Sequence, residues 1–188
     1  MTAASTDDTI PDDIIPDTAA STVEFVSATN YSGGSELQPA SVNVDLGAYR
    51  NWVRTLESAG FDYTLNGYSA GSADSFIVAT ATGQLTQRLK PIVALRPNTV
   101  FPLVAAQSLA TLDQLTEGRA VVHLISGGSD AEQARQGDYL AKDERYARTS
   151  EFIDLLRFAV IHLVRRGIAV APGIGMHTHA MVIIWHLE

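Results

Sequence analysis

"PIVALRPNTVFPLVAAQSLATLDQLTEGRAVVHLIS", residues 91 to 126, decides the fold class. PIVALR is a continuous apolar run closed by Arg96, the pattern of a strand covered on both faces in a parallel sheet. Pro102 opens a helical stretch and Gly118 stands just past its end, the asymmetry that helix termini prefer. AVVHLIS is a second apolar strand. Strand, helix and strand in this order make a βαβ unit.

The same alternation extends in both directions. Val23 to Asn30, "VEFVSATN", mixes β-branched and aromatic residues and breaks at Tyr31-Ser-Gly-Gly, which reads as a first strand. A helix follows, with apolar residues at Leu46, Tyr49, Val53, Leu56 and Ala59 and a closing Gly60. Residues 61–68 form a weaker second strand. "SADSFIVATATGQLTQR" begins with capping residues and reads as the second helix, despite Gly83. Arg145 to Arg157 fit a fourth helix. Strand centres lie roughly thirty residues apart, one βαβ unit each. The class is therefore α/β with a parallel sheet, either an open doubly wound sheet or part of a (β/α)8 barrel. No GxGxxG follows the first strand, which weighs against the doubly wound dinucleotide fold.

Composition narrows the function. The 188 residues are 46% hydrophobic, enough to bury a sizeable core. Thirteen Lys and Arg against 21 Asp and Glu leave a net charge of -8, which argues against nucleic acid or an anionic membrane as partner. Residues 1–22 are acidic and polar and read as a disordered arm without a secretory or transit signal. Zero cysteines rule out disulfides, thiolate nucleophiles and sulfur metal sites. A soluble cytoplasmic protein is the default expectation.

In either architecture ligands bind at the C-terminal ends of the strands. The loops of interest are therefore 30–35, 66–72, 96–101 and 126–130. "SGGSD" puts small residues where backbone N–H groups can approach a flat or anionic ligand. Arg96 offers a fixed positive charge at a strand end, or else sits in an ion pair. Tyr146 lies early in a helix, beside its positive end. It also fits a plain amphipathic helix, with Phe152 and Leu156 towards the core. His123, inside an apolar strand, reads as a core histidine with its hydrogen bonds satisfied. His177 and His179 lack a nearby acid and make a poor metal site, so none is expected. No GxSxG, P-loop or HExxH motif occurs, and no catalytic residue is assigned.

The motifs "ALRP", "ATLDQL", "GR", the strand ending in Ser126-Gly-Gly and then "DERY" before a helix resemble the luciferase-like flavin monooxygenases. The alkanesulfonate monooxygenase branch looks most similar. The resemblance implies a partial TIM-type (β/α)8 barrel of about four βα units, with a half-barrel domain at 23–157 and an atypical tail at 158–188. It implies reduced FMN supplied by a separate flavin reductase, O2 as oxidant and a small organic substrate. The flavin would supply the reactive chemistry, and the protein would position it and exclude water. Carried over by position, Ser126 and Gly127 face the flavin, and Tyr146 meets it near its phosphate or ribityl chain. Lys142 stands where the family usually has histidine. Asn66 ends the second strand, and Leu95 and Arg96 end the third. Family members commonly form homodimers through the second and third helices, and the alanine-rich face of "LVAAQSLATL" suits that packing.

Two departures qualify the resemblance. The cysteine that sulfonate-specific members carry after the second strand is missing, which counts against sulfonate. After Arg157 the likeness stops, as in a truncated gene product. The alternative expectation is thus a non-catalytic dimerising subunit or an inactive short paralogue.

Overall fold

A computed structural model describes residues 23–29 and 43–165. The arm at 1–22, the loop at 30–35, the histidines at 177 and 179 and the tail from 166 lie outside the described residues. The elements are β1 (Val26–Ala28), α1 (Leu46–Ser58), β2 (Tyr63–Asn66), α2 (Ser75–Leu85), β3 (Lys90–Leu95), α3 (Pro102–Leu115), β4 (Val121–Leu124), α4 (Asp130–Ala134) and α5 (Lys142–Arg165).

All three strand pairings are parallel, and the strand order is β1-β2-β3-β4. This order settles the choice of architecture. A doubly wound sheet reverses its order part-way so that helices cover both faces. Here each strand adds beside its predecessor, and with right-handed crossovers every helix falls on the same face. The sheet is one arc of a (β/α)8 barrel, and its other face is the barrel interior.

The register assigns residues to faces. Leu65 pairs with Ile92, and Ala94 with His123, so these residues share one face with Val26 and Ala28. Thr64, Asn66, Val93, Leu95, Val122 and Leu124 alternate onto the other face. That second face meets the helices: Val93, Leu95 and Leu124 pack with Ala79, Ala105, Ala106, Leu109, Phe152 and Leu156. A second cluster, Tyr49, Val53, Leu56, Val78 and Leu89, joins α1 to α2.

Side-chain anchors fix the helix ends. Asp45 and Asp74 accept from the backbone N–H of Ala48 and Ile77, which caps α1 and α2. Glu57 Oε1 accepts from the N–H groups of Gln87, Arg88 and Leu89 at 2.8, 2.6 and 3.1 Å, tying α1 to the entry of β3. Arg119, the arginine of the "GR" motif, donates to the carbonyls of Thr116 (2.7 Å), Leu89 (2.9 Å) and Gly83 (2.8 Å). A Cβ on Gly83 would lie 2.3 Å from Thr116 Cγ2, so close approach of α3 to α2 explains a glycine inside a helix.

Four expectations change. The first strand shortens to three residues. The final helix starts at Lys142 and continues past Arg157 to Arg165. The five-residue α4, capped by Ser129, is too short to show in periodicity and was not anticipated. The alanine-rich face of α3 turns inward, with Ala105 and Ala106 fully buried. Its outward face is Leu103, Val104 and Leu115, all about half exposed. Among the described residues no helix is long and apolar enough to cross a membrane.

Candidate functional site

A cavity of about 420 Å³ opens at the C-terminal ends of the strands on the interior face. Its floor is apolar, formed by Val26, Leu65 and Ile92, and its rim is polar, formed by Arg96, His123, Ser126, Gly127, Gly128 and Tyr146. The volume falls in the usual range for small-molecule sites, and an apolar floor with a few polar groups at one edge suits a flat amphipathic ligand.

Four residues expected from sequence meet here: Arg96, Ser126, Gly127 and Tyr146. Three others are placed elsewhere. Leu95 alternates onto the helix-facing side and is 3% exposed among the core residues. Asn66 is 1% exposed; its Nδ2 donates to the Ile92 carbonyl at 3.1 Å, and its Oδ1 accepts from the Thr29 hydroxyl at 2.9 Å. It braces the strand ends instead of lining the cavity. Lys142 is exposed at the start of α5. That turn already holds Asp143 and Glu144, and Glu144 Oε2 accepts from the Ala141 N–H at 2.8 Å. The positive end of α5 is thus partly compensated before any anion arrives.

Arg96 is buried, and its guanidinium reaches Glu132 on α4 at 2.7 Å. The same group donates to Gln136 Oε1 at 2.8 Å and lies 5.0 Å from the centre of the Tyr68 ring. Glu132 also accepts from the Ala70 N–H at 2.8 Å. Burial alone would raise the Glu132 carboxyl, but Arg96 and the Ala70 N–H outweigh it and hold the group below the usual range. Of the two readings of Arg96, the ion pair is the observed one. It latches the β2–α2 loop to α4, with its charge already matched. Its Nε is buried and has no partner.

Gly127 has φ +85°, and a Cβ there would come within 1.9 Å of Gln133 Nε2. Glycine is required by the left-handed backbone and by the buried glutamine behind it. A Cβ on Gly128 would meet nothing within 4 Å, so Gly128 is the residue that leaves open space beside the cavity.

Three contributors are not placed at the site by the sequence. Arg145 is 1% exposed and pairs with Asp130 at 2.8 Å. It also donates to the carbonyls of Leu140 (2.6 Å) and Gly127 (3.4 Å), and so holds the glycine loop against α5. The signal was available: Arg145 shares the helical stripe of Thr149, Phe152 and Leu156, and a charge on an apolar stripe signals a buried pair. Thr149 hydrogen-bonds Ser126 at 2.9 Å. His123 is the third, and it corrects the core-histidine expectation. It lines the cavity, its buried Nε2 has no partner, and burial lowers its pKa so that the ring is neutral at pH 7.

Comparison with known proteins agrees with the fold. The fold resembles the EDTA monooxygenase from Chelativorans sp. BNC1, at 21% identity and TM-score 0.61 over 72% of this chain and 36% of that one. It resembles DmoA from Hyphomicrobium sulfonivorans, at 25% identity and TM-score 0.53 over 72% and 35%. It also resembles the oxygenating constituent of 3,6-diketocamphane monooxygenase from Pseudomonas putida, solved in complex with FMN, at 14% and TM-score 0.55 over 71% and 38%. The chain spans well under half the length of each of these structures. Residues 23–164 match the family described as luciferase-like monooxygenase, and the chain belongs to that family.

Proposed function

We propose that the cavity is one wall of a flavin site in an FMN-dependent, two-component monooxygenase of the cytoplasm, similar to the alkanesulfonate branch. Reduced FMN from a separate reductase would supply the electrons and O2 the oxygen, one atom going to a small organic substrate and the other to water. The observation that carries this reading is the convergence of Ser126, Gly127, Arg96 and Tyr146 on one cavity over an apolar floor, in a chain of this family.

The residues present fit such a group. Val26, Leu65 and Ile92 offer a flat apolar surface, and the buried, unpartnered Arg96 Nε and His123 Nε2 belong to side chains on its rim. The flavin would supply the oxygen chemistry. The protein's part is to orient it and keep water from its apolar face. A homodimer would use the face between α2 and α3, where Phe76, Ile77, Leu112 and Leu115 line a groove together with Thr80, Gln107, Ser108 and Thr111.

The test is a fluorescence titration of the purified chain with FMN, and an anaerobic titration with reduced FMN. Weak saturable binding, lost in Tyr146→Phe and Ser126→Ala variants, is the expected result. A folded chain that binds neither form refutes the reading.

A further inference from the structure

Among the described residues β1 and β4 each pair on one side only, so the sheet has two open edges and supplies half of an eight-stranded ring. At the β4 edge, the Ile125 N–H donates to the Leu95 carbonyl at 3.0 Å. Backbone groups alternate along a strand, so Val121, His123 and Ile125 turn theirs to β3, whereas Val122 and Leu124 turn theirs to the open side. At the β1 edge, the Thr29 N–H donates to the Leu65 carbonyl at 2.9 Å, and the Phe25 carbonyl accepts from the Tyr63 N–H at 3.1 Å. Val26 and Ala28 therefore turn their backbone groups outward. Neither strand carries the Lys or Pro with which proteins blunt an exposed edge. Apolar side chains are open at the same place: Val26 is half exposed on the interior face, and Phe25 more than half on the helix-facing side.

We propose that a second copy of this chain covers both edges, so that two half-barrels close one (β/α)8 barrel. The geometry favours a copy of the same chain. A half-turn about the barrel axis leaves every strand pointing the same way, so β4 of each copy meets β1 of the other in parallel and both seams close together. A barrel interior is filled in layers of four side chains from alternate strands. One copy supplies two of each four, and its twofold mate supplies the same two again. The second copy's α5, the helix after its β4, then lies over Phe25. Its Val26, Leu65 and Ile92 stand across the barrel from the cavity and give the site an opposite wall. This contact is separate from the α2–α3 face and does not depend on the flavin reading.

Sedimentation equilibrium of the full chain tests this in wild type, in Ile77→Glu and in Ile77→Glu with Val122→Pro. Ile77 is exposed on α2, so a glutamate there disrupts any α2–α3 contact and leaves the seams alone. Ile77→Glu should still sediment at twice the chain mass. Adding Val122→Pro should give a folded monomer. An edge strand tolerates a proline whose N–H faced outward, but in the closed barrel the ring costs one hydrogen bond at each seam. That is at least about a hundredfold in the dimer dissociation constant. A monomeric Ile77→Glu chain, a dimer indifferent to Val122→Pro, or open-ended growth with concentration overturns the proposal. If Val122→Pro fails to fold, amide hydrogen exchange of the Ile77→Glu chain decides. Protection at Val122 or Leu124 comparable to that of His123 and Ile125 is expected, and free exchange at both is fatal. A closed dimer that binds no FMN leaves this inference standing and refutes only the flavin reading.

Discussion

Replacing Gly127 by alanine tests the account of the loop that ends β4. Two separate penalties are expected. The backbone φ of +85° lies in the left-handed region, where an L side chain costs about 1–2 kcal/mol. The new Cβ would also sit 1.9 Å from Gln133 Nε2 and 2.4 Å from its Cδ. Gln133 is fully buried and its Nε2 is hydrogen-bonded to Glu132 at 3.1 Å, so it cannot swing out into water. Overpacking of this kind costs about 1–3 kcal/mol. Gly127→Ala should therefore lose roughly 2–5 kcal/mol, measured by urea denaturation. The two parts separate in a double-mutant cycle. In a Gln133→Ala background the overlap is gone, and Gly127→Ala should lose only about 1–2 kcal/mol for the backbone. If it costs the same in both backgrounds to within about 0.5 kcal/mol, the glutamine is not what excludes a side chain.

Two further predictions concern the buried charges. Arg145→Met should destabilise by about 2–4 kcal/mol, because the Leu140 and Gly127 carbonyls lose a charged donor while exposed Asp130 is simply solvated. Arg145→Lys, a point charge without the fork, should recover only part of that in the same urea assay. Stability should also fall in acid. Glu57, Glu132 and Asp138 all have carboxyl pKa values lowered in the fold. Glu57 is held low by backbone N–H groups that outweigh its burial, and Asp138 chiefly by Arg148. Groups lowered in this way stabilise the fold above their ordinary pKa, and that contribution is lost as pH drops through the folded values. His123 adds an earlier loss below its ordinary pKa, since the unfolded chain takes up its proton more readily. Urea midpoints that stay flat from pH 7 to about pH 3 would contradict this assignment.

How much of the site was legible depended on the range of the interactions. The "SGG" exit and Arg96 could be placed at the cavity because they stand at strand ends, which local pattern marks out, whereas Tyr146 was placed by the family resemblance, since its position early in a helix fits a plain amphipathic helix as well. Leu95 could not be separated from Arg96 by pattern alone. PIVAL is apolar up to Arg96, so it carries no alternation to say which residue faces the helices and which the interior. Asn66 fails for a related reason: its partners, Thr29 and the Ile92 carbonyl, lie on neighbouring strands and in distant sequence.

The sequence by itself determined the α/β class, the four described strands, the helix that Pro102 opens and the strand ends at which the cavity lies. These follow from hydrophobic period and end-capping, which act over a few residues. The tertiary structure showed the one-way strand order behind the barrel arc that the family resemblance implied. It also decided that Arg96 is matched by Glu132, that Arg145 pins the glycine loop, and that Gly127 is glycine because Gln133 lies behind it. Each of these is a contact between residues whose separation in sequence no period encodes, and only the packed chain brings them within hydrogen-bonding distance.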